Sequence, residues 1–273
     1  MAKLRRPDGV ELHIDERGEG PPVVFAPYWS GSPSVYEALL SELAGDHRIV
    51  SFDARGTGQS THRGPYDMTT DCADLEAVLE RAGGPAVVLS VADGCNRAVK
   101  VAHARPDLVG AVVAFGMGPF ARMHFEGREA MIGSDAVIDA FLKMCDRDYR
   151  AALRTVLSAT NEQMDDDELR ERVAAQLSYA PQEAAVARVR AWVADDPTDA
   201  ARNTGERLWI FSAPDVAGPW LPPPEERRQL IETLTPQAHL EEAEAGQGPV
   251  SRPDLAAHRI RRVTAGLRLE SSR

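Results

Sequence analysis

The run Ser90-Val91-Ala92-Asp93-Gly94 stands where a strand-like stretch, Val87-Val88-Leu89-Ser90-Val91, gives way to a helical one that reaches Arg105 and the stop signal Pro106-Asp107. Strand, tight turn and helix together lift one side chain out of the end of a sheet and set it before a helix N-terminus. A hydroxyl or thiol at such an apex attacks acyl carbon, and the amide that follows it stabilises the oxyanion. Here the apex is Ala92, which has no nucleophile. Moving the apex one residue on gives Asp93, a carboxylate able to attack carbon itself. The flanking residues would then be Val91 and Cys95, although so tight a turn wants glycine or another very small residue. With Ala92 at the apex the flanks are Ser90 and Gly94, which fit better; the Asp93 register stays open as a second chemistry.

Two upstream segments belong with this turn. Ser51-Phe52-Asp53-Ala54-Arg55-Gly56-Thr57-Gly58-Gln59-Ser60 carries the pattern D-x-R-G-x-G-x-S, and Pro21-Pro22-Val23-Val24-Phe25-Ala26-Pro27 is strand-like and enters the loop Pro27-Tyr28-Trp29-Ser30-Gly31. In this order the segments resemble the α/β-hydrolase fold superfamily, over nearly the whole chain outside a central helical stretch. The Arg55-Gly56-Thr57-Gly58 and Ser90-to-Gly94 runs resemble bacterial members with Arg-Gly-Thr-Gly and Gly-Val-Ser-Glu-Gly at these places. The resemblance implies that the loop after Pro27 should carry His-Gly and donate one N–H to an oxyanion hole, and this chain departs from that. It also places the family's acid at Asp215, which ends Ser212-Ala213-Pro214-Asp215 after the strand Leu208-Trp209-Ile210-Phe211. The family's Gly-His pair after the last strand, His239 to Glu244, reads Gly246-Gln247. Ala92, Asp215 and Gln247 thus stand in place of Ser, Asp and His. Glutamine hydrogen-bonds but carries no proton near neutral pH, and neither His239 on the strand nor His258 along the final helix is spaced to reach the apex. Serine hydrolysis is expected to be lost, because a triad acts as one unit.

The remaining groups can still do chemistry. The Asp93 N–H opens a helix, and a second donor from the Tyr28-Trp29 loop would complete a site for an enolate, phenolate or alkoxide. Asp215 without its imidazole partner becomes a desolvated carboxylate suited to moving a proton. Ser30, Trp220 and His124 join Tyr28 and Trp29 as candidate substrate contacts, and the missing serine side chain leaves room for a bulky ligand. The expected activity is therefore a non-hydrolytic tailoring enzyme of bacterial natural-product (polyketide or aromatic) biosynthesis. It would promote intramolecular cyclisation or C–C bond formation by positioning, with Gln247 orienting the ligand. The rivals are a non-catalytic ligand-binding protein on the same fold and a hydrolase of epoxide or halide type attacking through Asp93. Plainer roles stand beside these: Asp93 as a helix cap, Asp215 as a surface carboxylate, Cys95 as a buried structural thiol, Arg55 as a structural ion pair, and Tyr28, Trp29 and Trp220 as loop anchors.

The positioning elements follow from periodicity. Strand signals near 10–16, 23–27, 48–53, 86–91 and 110–116 alternate with helical runs at 34–44, 69–82 and 94–105, which predicts a mostly parallel twisted sheet with helices on both faces. Residues 1–118 and 206–273 are read as the α/β core, with strands at 207–213 and 239–245 and a basic helix near 253–265. Residues 119–205 read as a wholly helical cap, with amphipathic runs Ala136 to Met144, Tyr149 to Leu157, Asp166 to Leu177 and Pro181 to Ala194. The acidic Asp165-Asp166-Asp167-Glu168 is a helix start. The 273 residues are 43% hydrophobic and carry a net charge of −11, with 42 acidic against 31 basic, which argues against nucleic acid or an anionic membrane as partner. No bilayer-length apolar run or secretory h-region is present, and Cys72, Cys95 and Cys145 suit reduced thiols in a cytoplasm. No metal or cofactor is expected; the partner expected is a bulky small molecule, with a homodimer left open.

Overall fold

In the computed structural model the described residues are 2–116, 118, 135–160, 164–212, 223–244 and 247–267, with the backbone alone at 122–125, 128–131, 135, 137 and 160. In chain order, β1 (Ala2–Arg5), β2 (Glu11–Arg17), β3 (Pro22–Phe25), α1 (Glu37–Leu43), β4 (Arg48–Phe52), α2 (Met68–Ala82), β5 (Ala86–Val91), α3 (Gly94–Ala104) and β6 (Val109–Gly116) build the first part. There follow β7 (Arg122–Phe125), β8 (Arg128–Met131), α4 (Asp135–Arg147), α5 (Tyr149–Thr160), α6 (Asp166–Tyr179), α7 (Gln182–Val193) and α8 (Thr198–Thr204). The chain then returns to the sheet with β9 (Leu208–Ser212), α9 (Pro224–Leu234), β10 (His239–Glu242) and α10 (Pro253–Gly266). Among the described residues eight strands make one sheet in the order β1-β2-β4-β3-β5-β6-β9-β10. Only β2 runs against its neighbours; all pairs from β4 to β10 are parallel.

β5 shows why the sheet is covered on both sides. All six of its residues are buried, as a central parallel strand requires. Ala86 and Val88 join the core beneath α2, α3 and α8, whereas Val87, Leu89 and Val91 join the core beneath α1 and α10. A third core lies in the stretch after β6, where Cys145, Leu153, Val173, Val186 and Val189 pack around Trp29. Fully burying a leucine such as Leu153 contributes roughly 1.5–3 kcal/mol.

The acidic run is a helix start. Asp165 accepts from the backbone N of Asp167 and of Glu168, both at 2.9 Å, and Glu168 returns a bond to the Asp165 N at 3.3 Å. The stretch after β6 is not wholly helical, however. β7 and β8 pair as an antiparallel hairpin, and the alternation Arg122-Met123-His124-Phe125 is a period-2 signal too short to stand out beside the helices that follow. β1 and α9 are further elements absent from the periodicity reading. α8, the last helix before β9, packs on α3, and its Ala200 and Ala201 join the core under the sheet. Among the described residues no helix is long and apolar enough to cross a membrane.

Candidate functional site

The turn between β5 and α3 is held by small residues on both sides. Ser90 is fully buried; its Oγ donates to the Val113 carbonyl at 3.1 Å and lies 3.4 Å from Cys95 Sγ. At Gly94 a Cβ would lie 3.0 Å from the Pro27 carbonyl oxygen and 3.1 Å from that of Ala26, so α3 starts hard against the end of β3. Between them Ala92 has φ +46°, the one positive φ of a non-glycine among the described residues. That left-handed conformation costs an L-residue roughly 1–2 kcal/mol. The strained residue of this turn is therefore Ala92, and it faces a cavity of about 240 Å³.

Asp93 points elsewhere. It sits at the N-cap position of α3 but makes no side-chain cap bond. Its carboxylate is fully buried, is not part of the cavity wall, and is held from two sides: the Trp29 backbone N donates to Oδ1 at 2.8 Å, and Arg97 Nη1 donates to Oδ2 at 2.6 Å. Burial pushes the carboxyl above its ordinary value, and Arg97 and the Trp29 amide pull it part of the way back. One expectation needs correction here. The Trp29 N–H is committed to Asp93, so it is not a second oxyanion donor. The Asp93 N–H has no hydrogen-bond partner among the described residues.

Arg97 continues the chain of charges. Its Nε donates to Asp71 Oδ2 at 3.1 Å, and Asp71 also receives Arg188 of α7, at 2.9 Å from Nε and 3.1 Å from Nη2. Burial alone would raise the Asp71 carboxyl, but Arg188 and Arg97 outweigh it and hold it below the ordinary aspartate value. Arg188 Nη2 also donates to the Arg55 carbonyl at 2.6 Å. Arg55 is itself buried and paired with Asp74 at 2.7 Å and Asp8 at 2.8 Å, a structural role. Cys95 is buried as well, and desolvation raises its thiol to about 12, so no thiolate forms at this helix start.

The loop after β3 supplies the opposite wall. Tyr28 lies across Gly31, where any Cβ would fall within 1.6 Å of the phenol ring. Burial pushes both the Tyr28 and Tyr36 phenols up, Tyr36 to about 12, so both are protonated donors at neutral pH. Ser30 is buried, with its Oγ 3.4 Å from Gln176 Oε1 of α6. The Trp29 ring touches the cavity, yet most of it is packed against Phe141 and Tyr149, each with ring centroids 6.3 Å away.

Gln247 lines the same cavity as Ala92. Its amide is already engaged: Nε2 donates to Glu244 at 2.7 Å, and Arg259 Nη2 donates to Oε1 at 3.4 Å. The structure thus brings Ala92, Gln247, Tyr28, Trp29 and Ser30 to one cavity. Asp215 and Trp220 lie outside the described residues, as does the side chain of His124. His239 stacks on Trp209 at 3.8 Å and His258 is exposed on α10; neither reaches the cavity. Among the described residues no histidine, aspartate or glutamate lines it, and no group of three such side chains or cysteines could hold a metal. Sequence reasoning missed Tyr36, Arg172 and Gln176. The spacing of Arg172 and Gln176, four apart on α6, was the signal that they share a helix face.

A family model described as the alpha/beta hydrolase fold matches residues 21–148. A 2-(acetamidomethylene)succinate hydrolase of Mesorhizobium japonicum is 30% identical over 115 residues, which cover 41% of this chain and 41% of that protein. A putative non-heme bromoperoxidase, BpoC, of Mycobacterium tuberculosis is 29% identical over 134 residues, 47% of this chain and 51% of that protein. The match thus spans about half the length of these curated relatives or less, at 41% and 51%. Among solved structures, an esterase from Exiguobacterium antarcticum superposes with a TM-score of 0.81 at 17% identity, over 96% of this chain and 98% of that one.

Proposed function

Because the chain belongs to the α/β-hydrolase fold superfamily but carries alanine at the strained turn where that fold presents its nucleophile, we propose that it is a non-hydrolytic enzyme. Its cavity over Ala92 takes a small organic molecule and promotes intramolecular cyclisation or C–C bond formation, as a tailoring step in natural-product biosynthesis. The observation that carries this is Ala92 itself: the elbow conformation is kept at φ +46°, with neither a nucleophile at the apex nor a histidine on the described cavity wall. Holding reacting atoms in place is worth up to about 7–11 kcal/mol without any covalent step. The protonated phenol of Tyr36, itself hydrogen-bonded by the Tyr28 hydroxyl, and the Asp93 N–H are the donors proposed for developing oxygen charge. Asp215 is the proton carrier in this reading. The cavity over Ala92 measures about 240 Å³.

The hydrolytic names among the relatives argue for a shared scaffold and a shared cavity; Ala92 argues against carrying over the hydrolysis. The Asp93 nucleophile reading has the carboxylate's full burial and two engaged oxygens against it. One observation favours a second reading, a ligand-binding protein without turnover: the Trp29 amide that would complete an oxyanion hole is spent on Asp93. The test has two parts. Purified protein incubated with p-nitrophenyl acetate is expected to release nitrophenol no faster than buffer, and ester turnover overturns the proposal. Metabolites of a host deleted for the gene then separate the two readings. A compound isomeric with the final product supports bond formation, whereas no accumulation supports binding alone.

A further inference from the structure

We infer that the cavity over Ala92 is a carboxylate site, in which Arg172 of α6 grips the acid group of a small organic acid whose apolar body lies toward the end of the sheet. The inference rests on the reading that this cavity takes a small molecule, and it names the chemical class.

Three observations carry it. First, Arg172 is half-buried on the cavity wall and has no carboxylate within pairing distance among the described residues. This contrasts with Arg55, Arg97 and Arg188, each of which meets an aspartate. Second, Arg172 is the single charged side chain on the described wall, in a chain whose net charge is −11. A cation with no carboxylate partner among the described residues, set in low-dielectric walls, concentrates anions against the overall field of the protein. Third, the rest of the wall suits the body of an acid. Phe115 and Phe211, with ring centroids 5.4 Å apart, join Val91 and Leu157 as apolar surface. The hydroxyls of Tyr28, Tyr36 and Ser30 and the amide of Gln176 are neutral groups able to hydrogen-bond oxygen. The tyrosines stay protonated, so they add no negative charge that would cancel the guanidinium.

Charge balance selects carboxylate over phosphate. A single guanidinium matches a single negative charge through two parallel N–H···O bonds. A phosphate dianion would want a second cation, and the described wall has none.

The experiment is isothermal titration of the full chain with benzoate and hexanoate, beside the uncharged isosteres benzamide and hexanamide, and with inorganic phosphate. The native protein is expected to bind at least one acid about tenfold or more tightly than its amide. Arg172→Gln should abolish that preference by weakening the acids far more than the amides, and Arg172→Lys should restore part of it, because a point charge lacks the planar fork. The amide signal shows that each variant still has a folded cavity. Equal binding of acid and amide by the native protein overturns the inference, as does an undiminished preference in Arg172→Gln, or phosphate binding as tight as that of the acids. Turnover is not read in this titration. A protein that hydrolyses p-nitrophenyl acetate yet grips benzoate through Arg172 sinks the non-hydrolytic reading alone, whereas one that binds neither acids nor amides sinks the carboxylate site.

Discussion

Behind the Ala92 turn, Asp93, Arg97, Asp71 and Arg188 form a run of alternating charges, all buried, whereas in front of it Arg172 faces a cavity with no carboxylate on its described walls. The run joins three elements: α3 through Arg97, α2 through Asp71, and α7 of the post-β6 stretch through Arg188. Removing such groups from water costs several kcal/mol per ion, and only close pairing offsets it. The charges behind the turn therefore fix where the elbow and the helices above it sit. The charge in front has no carboxylate partner among the described residues. One arrangement serves position and the other serves a ligand, and side-chain chemistry alone does not separate them, since both use arginine.

The largest effect is expected at Asp71. Asp71→Asn keeps the side chain's size but takes the charge away from Arg97 and Arg188 together. The expected loss in a urea titration at pH 7 is about 3–5 kcal/mol, as when a buried pair loses one partner. The pH dependence sharpens the test. The folded carboxyl is held below the ordinary aspartate value of 3.8, so its contribution is complete above that pH and is lost as pH falls through the lower folded value. The native protein should therefore lose stability on acidification below 3.8, and the variant should lack that part of the slope. Equal stabilities at pH 7 would mean that the run behind the turn positions nothing.

The sheet was legible in the sequence because its strands are continuous apolar runs between turn signals, and Val87 to Val91 need no partner to be recognised as buried. The turn was legible because tightness is a local property, written in Ser90, Gly94 and their spacing. The ion run was not, because Asp71, Arg97 and Arg188 lie 26 and 117 residues apart along its bonds, and each alone reads as surface. The partners of the Asp93 carboxylate were hidden for the same reason. An aspartate before a helix signals a cap, and nothing nearby says that its partner is an amide 64 residues earlier. Trp29 looked like a ligand contact or a loop anchor, and it is mostly the centre of a separate core whose other members follow more than 100 residues later. Arg172 escaped notice because a cation on an amphipathic helix ordinarily faces water.

A smaller effect is expected at the turn itself. Ala92→Gly removes the Cβ that makes φ +46° costly, and the gain exceeds what glycine's extra freedom in the unfolded chain takes away. The variant should be more stable by about 1 kcal/mol in the same urea titration. A destabilised variant would show that the Ala92 methyl packs against the cavity wall strongly enough to outweigh its strain. The turn would then belong with the architecture behind it, not with the open space in front.

The smallest effect is expected at Arg172, and its smallness is what gives the comparison content. Without ligand, Arg172→Gln removes no ion pair among the described residues and should change stability by no more than about 0.5 kcal/mol. An arginine that held structure, as Arg188 does, would cost several times that when cut. Thermal unfolding with and without saturating benzoate separates these cases, because a ligand that binds only the folded state raises its melting temperature by mass action. The native protein should gain clearly more stability from benzoate than the variant does, while their unliganded melting curves superimpose. A variant that melts early without ligand would place Arg172 among the positioning charges, and the two sides of the turn would no longer differ in kind.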